Sequence, residues 1–170
     1  MSRKREASGP ADHLLHPFPP AWNAQSEVLI LGSFPSVKSR EIAFFYGHPQ
    51  NRFWPLVSAI FEETLPPTVE EKRAFLLRHH LALWDVIGEC TIVGSSDSSI
   101  RDVTPNDIRP LLEGAPVRAI YTNGQTAFRL YQKHLLPLTG REAVCLPSTS
   151  PANAAWSMER LMGAWSVIKS

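Results

Sequence analysis

The chain has 170 residues, with 17 Lys or Arg against 16 Asp or Glu and a formal net charge of +1. This length predicts one domain with one sizeable hydrophobic core, and the 44% hydrophobic content is ordinary for a globular protein. The charge balance excludes a strongly basic or acidic protein, and no apolar run approaches the roughly 18 residues of a membrane span.

The ends of the chain and its cysteines indicate a reduced, cytoplasmic protein. Residues 1–12 are polar and basic and lack an apolar core, so we expect a disordered tail rather than a signal peptide. Without an internal repeat or a linker, residues 13–170 are expected to form a single domain. Cys90 and Cys145 lack metal-ligand spacing, which predicts small buried thiols.

Strands and helices alternate in the predicted structure. An extended arm is predicted at residues 16–20, because consecutive prolines block a helix. Short apolar runs predict buried strands at residues 28–31, 81–86, 118–122 and 143–146. Helices are predicted at about 51–61, 68–80, 125–136 and 157–168, and one more is predicted to open at 104–107. Residues 33–50 and 88–99 are predicted loops.

Two of these helices have sequence signals at their starts. Thr68 and Glu71 have the spacing of a capping box. Thr104 is a candidate N-cap, with Pro105 at the first helical position. At the other end of the second helix, His79 and His80 are expected to mark its last turn, where imidazolium suits the helix dipole.

The strand–helix–strand order predicts an α/β fold: a three-layer α/β/α sandwich around a four-stranded parallel sheet. Ligands of such sheets bind beyond the carboxyl ends of the strands. Residues 32–36 and 147–153 both follow predicted strands, so they are expected to face each other across one cleft.

Several reaction classes have no support in the sequence. It contains no Gly-Lys-Ser/Thr phosphate loop, no His-Glu-x-x-His or Cys/His cluster, and no Gly-x-Ser-x-Gly elbow. We therefore expect no metal and no cofactor. The remaining Asn, Ser, His, Tyr and Asp side chains suit the positioning of water and hydrogen bonding to a neutral ring.

The segment from Gly47 to Trp54 reads Gly-His-Pro-Gln-Asn-Arg-Phe-Trp and turns from a loop into a helix. Asn51 lies at this boundary, where helix N–H groups are still unpaired. Its amide suits either a helix cap or a group that points into a site, and the pattern alone leaves both open.

Three segments, 31–36, 46–54 and 148–153, resemble the uracil-DNA glycosylase superfamily, and most closely its hypoxanthine-DNA (deoxyinosine) glycosylase branch. The resemblance extends over about residues 27–168. It implies the uracil-DNA glycosylase-like fold and a monofunctional DNA repair enzyme without a cofactor. Such an enzyme flips a deaminated base out of double-stranded DNA and hydrolyses its N-glycosidic bond, leaving an abasic site.

The resemblance leaves the substrate open between hypoxanthine, which we expect, and uracil, xanthine or a mismatched base. A member that binds lesions without cutting them is a further alternative. The expected partner is double-stranded DNA carrying a deaminated base, with no membrane partner. A monomer that associates with the nucleoid during repair is expected.

The same resemblance implies roles for individual residues. Phe34 stands where mismatch-specific relatives carry the Asn that positions water, so Asn51 is the catalytic candidate, its amide accepting a bond from the water. Tyr46 matches the aromatic residue that stacks on the flipped base. Phe34, Ser33 and Gly32 are expected to line the base pocket.

The second motif implies contacts with DNA. Ser148, Ser150 and Asn153 are expected to hold phosphates, although the residue types also suit ordinary turns. His48 is a candidate for a phosphate contact or for steadying its loop. Asn123 and Asp85 follow strands and are further base-pocket candidates. Arg52 is expected to hold structure rather than DNA, and none of these candidates is expected to bind a metal.

Overall fold

The computed structural model describes residues 10–169, so residues 1–9 of the predicted tail lie outside the described part of the chain. Asp12, the last residue assigned to that tail, begins the first strand. The strands are β1 (Asp12–Leu15), β2 (Val28–Gly32), β3 (Leu81–Asp85), β4 (Ile87–Ile92), β5 (Arg101–Pro105), β6 (Ala119–Asn123) and β7 (Val144–Leu146).

The helices lie between these strands and pack on both sides of the main sheet. They are α1 (Val37–Ile42), α2 (Phe53–Ile60), α3 (Val69–Arg78), α4 (Arg109–Gly114), α5 (Gln125–Leu130), α6 (Leu136–Thr139) and α7 (Met158–Trp165). A π-helical turn, Tyr131–Leu135, joins α5 to α6, and 3₁₀ turns occupy Asp97–Ser99 and Ser166–Lys169. Within residues 10–169, every helix is too short or too polar to cross a lipid bilayer.

The main sheet has the order β3-β2-β6-β7 and all its strands are parallel, which confirms the predicted four-stranded sheet. Strand β2 is buried along its whole length. Because side chains alternate across a strand, Val28 and Ile30 pack with α2, α3 and α7 on one face. Leu29 and Leu31 pack with α4, α5 and the π turn on the other face. The three-layer architecture follows from this alternation.

A second sheet was not predicted from the sequence. Strands β1, β4 and β5 form an antiparallel sheet in which β4 is central, so the predicted loop at 88–99 is wrong over the residues of β4. The ladder between β4 and β5 shifts register twice, which removes the strict alternation that a sequence pattern would show.

The helix predicted to open at residues 104–107 is also wrong. Thr104 and Pro105 are the last residues of β5, and α4 begins only at Arg109. Strand β5 is an edge strand, and an edge tolerates a proline that lacks the N–H group. Asn106 follows and donates from Nδ2 to the carbonyls of Asp85 and Ile87, which turns the chain at this point.

Capping explains one helix that was predicted and one that was missed. Thr68 Oγ1 accepts a hydrogen bond from the Glu71 amide at 3.0 Å, as predicted for α3. Ser36 Oγ accepts from the Ser39 amide at 3.1 Å and starts α1 inside the segment that was predicted to be a loop. At six residues, α1 is too short to show a helical periodicity in the sequence.

Candidate active site

A cavity of about 430 Å³ opens at the carboxyl edge of the main sheet. Residues 32–36 and the loop after β7 both line it, which confirms that these segments meet across one cleft. The predicted site residues that line this cavity are Gly32, Ser33, Phe34, Tyr46, His48, Asn51, Asp85, Asn123, Ser148 and Ser150. Asn153 instead lines a neighbouring cleft of about 560 Å³, and its Nδ2 donates to the Ser148 carbonyl at 2.9 Å.

The Asn51 side chain both caps a helix and lines the cavity. Its Oδ1 accepts from the Phe53 amide at 2.9 Å and from the Thr149 hydroxyl at 2.8 Å. A carbonyl oxygen has two lone pairs, so both are used and this atom has none left for a water molecule. The expectation that the amide accepts a bond from water therefore does not fit this geometry. Nδ2, which has no partner among residues 10–169, is the group left for the cavity.

Thr149 joins Asn51 to the end of β6. The Thr149 side chain is fully buried. Its hydroxyl accepts from Asn123 Nδ2 at 2.9 Å, and its amide donates to Asn123 Oδ1 at 3.0 Å. The oxygen and the nitrogen of the Asn123 amide therefore each form one hydrogen bond with Thr149, in addition to any bond with a base. Thr149 lies within the motif at residues 148–153, but the sequence indicates no role for it, because its partners are distant along the chain.

Arg52 holds the loop after β7. Its main-chain amide donates to the Thr149 carbonyl at 3.0 Å. Its guanidinium donates to the carbonyls of Asn153, at 3.0 Å, and Trp156. These contacts agree with the expectation that Arg52 holds structure, since its donors are directed at the loop.

Tyr46 has an unusual backbone and a buried hydroxyl. Its φ of 56° lies in the left-handed region, which is uncommon for a bulky residue. Its ring stacks on Phe53 with centroids 4.2 Å apart. The hydroxyl lacks a hydrogen-bond partner among the described residues. Burial, and secondarily the Asp85 carboxylate, raise the pKa of Tyr46 well above its ordinary value, and the Asn123 amide offsets this in part. The phenol therefore stays neutral at physiological pH.

Asp85 and His16 form a buried pair beside the cavity. His16 Nε2 lies 2.7 Å from Asp85 Oδ2, and the two side chains are only 4% and 6% exposed. His16 comes from the predicted extended arm, and its ring packs edge-on against Phe18 and Phe34. The sequence did not indicate this pair, because an arm residue gives no sign of where its side chain lies.

The other predicted residues are placed by local contacts. Phe34 is 9% exposed, and it packs against Ile87 and Cys90 while forming part of the cavity wall. Ser33 Oγ donates to Asp97 Oδ1 at 3.2 Å. His48 is exposed, and its Nδ1 accepts from the Gln50 amide at 3.1 Å, so it steadies its own loop.

Ser148 and Ser150 shape the loop with their oxygens. Ser148 Oγ accepts from the Ser150 amide at 3.0 Å, and Ser150 Oγ accepts from the Ala152 amide at 3.1 Å. Within residues 10–169, neither the Ser148 nor the Ser150 hydroxyl proton has an acceptor. Two hydroxyl donors therefore stand at the rim of the cavity. The same part of the chain holds no group of three or more His, Cys, Asp or Glu side chains placed to bind a metal ion.

Comparison with known proteins gives the same picture. Residues 19–169 match the model of the Uracil DNA glycosylase superfamily. The chain is 39% identical to a hypoxanthine DNA glycosylase of Methanosarcina acetivorans, covering 84% of this chain and 90% of that protein. It is 34% identical to a hypoxanthine DNA glycosylase of Methanosarcina barkeri, covering 80% and 86%.

A solved structure is also similar. It is the solution NMR structure of a protein described as a candidate uracil DNA glycosylase from Methanosarcina acetivorans. It has a TM-score of 0.76 and 37% sequence identity, and the match covers 89% of this chain and 94% of that one.

Proposed function

Since the chain belongs to the uracil DNA glycosylase superfamily and is a DNA glycosylase, we propose that its substrate is a deaminated base flipped out of double-stranded DNA, with hypoxanthine as the preferred base. Two relatives named hypoxanthine DNA glycosylase, at 39% and 34% identity, support this choice of base. The product is free base and an abasic site.

One observation carries the proposal: the Asn51 amide is fixed at the wall of the cavity, and its nitrogen has no partner among residues 10–169. In the proposed reaction the N-glycosidic bond breaks, its electron pair leaves with the base, and the sugar becomes cation-like. The oxygen of a water molecule then bonds to C1′, the water loses one proton to solvent, and the departed base takes up one proton from solvent to become the free base. Asn51 Nδ2 donates to one lone pair of that water and leaves the other for C1′.

The aromatic wall offsets the cost of extruding the base. Flipping costs a few kcal/mol, and stacking of a base on an aromatic ring contributes about 1–3 kcal/mol. Tyr46 and Phe34 are the aromatic residues proposed for this contact. The Asp85 carboxylate supplies an acceptor for an N–H group on the polar edge of the base.

The loop after β7 is proposed to hold the DNA backbone. Phosphate oxygens accept hydrogen bonds, and the Ser148 and Ser150 hydroxyls are suitable donors. His48 is exposed next to them, whereas Asn153 lies in the neighbouring cleft and contacts DNA beside the extruded nucleotide. Arg52 keeps this loop in place without touching DNA.

A panel of lesions tests the proposed substrate. Duplexes that carry hypoxanthine, uracil or xanthine at one position are incubated with excess enzyme, and abasic sites are revealed as strand breaks after alkali. The proposal predicts the fastest cleavage with hypoxanthine and none with adenine at that position. Faster cleavage of uracil or xanthine would make the chosen base wrong while leaving the reaction class intact.

Phe34 favours one alternative function, the binding of lesions without cleavage, because it occupies the position where mismatch-specific relatives carry the water-positioning Asn. A protein that lost its catalytic group would bind lesions without cutting them. Fluorescence anisotropy on the same duplexes separates the two functions. Tight, lesion-dependent binding without any abasic product would establish the binding function and refute catalysis.

A further inference from the structure

Three side chains that are far apart in sequence form one directed hydrogen-bond chain at the cavity. Asn123 Nδ2 donates to Thr149 Oγ1 at 2.9 Å, and Thr149 Oγ1 lies 2.8 Å from Asn51 Oδ1. An amide nitrogen only donates, so the Thr149 oxygen is the acceptor on the Asn123 side. The hydroxyl proton is therefore free to point at Asn51.

Main-chain amide groups fix the direction of these hydrogen bonds. The Thr149 amide donates to Asn123 Oδ1 at 3.0 Å, which sets the oxygen and nitrogen of Asn123. The Phe53 amide donates to Asn51 Oδ1 at 2.9 Å, which sets the oxygen of Asn51 in the same way. Reversing either amide would place two donors against each other.

A single bond would not hold Asn51 in place. The terminal torsion of an Asn side chain is broad, so the capping bond from Phe53 alone leaves the amide free to rock. The Thr149 hydroxyl adds a second anchor to the same oxygen. With both anchors on Oδ1, the amide keeps one orientation, and Nδ2 is its remaining polar atom at the cavity that Asn51 lines.

We infer that Thr149 is a positioning residue for excision: its buried hydroxyl, aligned by Asn123, fixes Asn51 so that the amide nitrogen holds the attacking water. This inference rests on the proposed role of Asn51. It makes Asn51 a hydrogen-bond donor to the water rather than an acceptor, and it assigns Asn123 to the alignment of Thr149.

A double-mutant cycle tests the inference with single-turnover excision of hypoxanthine. Thr149→Val keeps the shape of the side chain and removes the hydroxyl, and we expect a loss of about 10- to 100-fold in rate, the size expected for a misplaced group. Thr149→Ser keeps the hydroxyl and is expected to restore the rate to within about threefold. In an Asn51→Ala background, Thr149→Val is expected to change the rate by less than about twofold, because its target is gone.

Thr122 provides a matched control. It is another fully buried threonine, and its hydroxyl donates to the Gly124 carbonyl rather than to a side chain of the cavity. Thr122→Val is the same chemical change and is expected to leave the excision rate unchanged. Melting temperature and DNA affinity, measured for every variant, separate loss of positioning from loss of folding or binding.

Asn123→Asp gives a second test if Thr149→Val does not fold. A carboxylate keeps the acceptor for the Thr149 amide but replaces the donor with an acceptor, so the Thr149 hydroxyl turns toward it and away from Asn51. We expect a loss of about 10-fold or more in the wild-type background and a smaller loss after Asn51→Ala, because only the effect on the base pocket remains there.

The possible outcomes are distinct. If Thr149→Val excises at the wild-type rate while Asn51→Ala is slow, the inference is overturned and the proposed function stands. An equal loss in both backgrounds also overturns it, because Thr149 would then act independently of Asn51. If Asn51→Ala itself excises normally, the proposed role of Asn51 fails instead.

Discussion

The α-carbon of Gly32 lies against the Asp85 carboxylate, and an ideal Cβ at position 32 would be 2.5 Å from Asp85 Oδ1. The same Cβ would be 3.3 Å from the Tyr46 hydroxyl. Gly32 ends β2 and Asp85 ends the neighbouring β3, where the two residues pair in register. The absence of a side chain at position 32 is therefore what lets the acidic group and the phenol reach the cavity together.

The first prediction follows from this contact. Gly32→Ala should displace Asp85, since real Cβ atoms do not approach an oxygen to 2.5 Å. We expect a loss of about 1–3 kcal/mol in the free energy of unfolding from overpacking and a reduced excision rate. Urea denaturation and single-turnover excision measure the two effects.

Gly163→Ala is the matched control for that change. Gly163 lies in α7, and a Cβ there meets no atom within 4 Å. Alanine is the better helix former, so we expect Gly163→Ala to raise the free energy of unfolding by up to about 1 kcal/mol, with unchanged excision. A Gly32→Ala protein as stable and active as Gly163→Ala would contradict the described contact.

A second prediction concerns Arg52. Arg52→Lys keeps the charge but cannot reach two carbonyls at once, so the loop after β7 loses part of its support. We expect the free energy of unfolding to fall by about 1–3 kcal/mol and DNA affinity to weaken. Arg118→Lys is the control, because the Arg118 side chain pairs with Glu27 at the surface, and an exposed ion pair is worth less than about 1 kcal/mol. Equal effects of the two substitutions would argue against the Arg52 contacts.

A third prediction concerns the Tyr46 phenol. Its pKa is raised in the folded state, so folding favours the protonated form. The resulting stability is fully present below the ordinary pKa of 10.0 and is lost as the pH rises above it. Between about pH 9 and pH 11, the ultraviolet absorbance change from tyrosinate formation should be the same in folded Tyr46→Phe as in the folded wild type. A variant that lacks a share of the tyrosinate signal in that range would show that Tyr46 titrates normally.

A fourth prediction concerns salt. Because the net charge is only +1, binding must come from a few local phosphate contacts rather than from the overall charge. We expect the logarithm of DNA affinity to fall linearly with the logarithm of salt concentration, because cationic side chains near the phosphates displace counterions. A Ser148→Ala, Ser150→Ala protein should bind more weakly at every salt concentration with the same slope, because hydroxyls carry no charge. Unchanged affinity of this variant would oppose the proposed backbone contacts.

The sequence predicts the main sheet well because its strands are short apolar runs with both faces buried, as in Val28–Gly32. It misses the second sheet because β4 and β5 pair with register shifts and β5 ends in Pro105, a residue that normally indicates a helix start after Thr104. Local patterns carry no information about a partner strand, so the irregularly paired strand β4 is predicted as a loop.

The candidate site divides in the same way. Asn51, Tyr46 and the serines of the loop after β7 lie in motifs, and the resemblance identified them. Thr149 lies in one of those motifs, where the resemblance assigned it no role, and His16 lies outside them. The roles of both depend on partners 98 and 69 positions away along the chain. Burial and hydrogen bonding between distant segments are properties of the folded chain, and a lone Thr or His in a sequence does not indicate them.

The most direct test of the account is the single-turnover rate of hypoxanthine excision by Asn51→Ala, compared with wild type at saturating enzyme. Loss of one preorganised polar group predicts a rate lower by about 10²–10³, with DNA binding and melting temperature close to wild type. Excision near the wild-type rate by a folded Asn51→Ala protein would contradict the account.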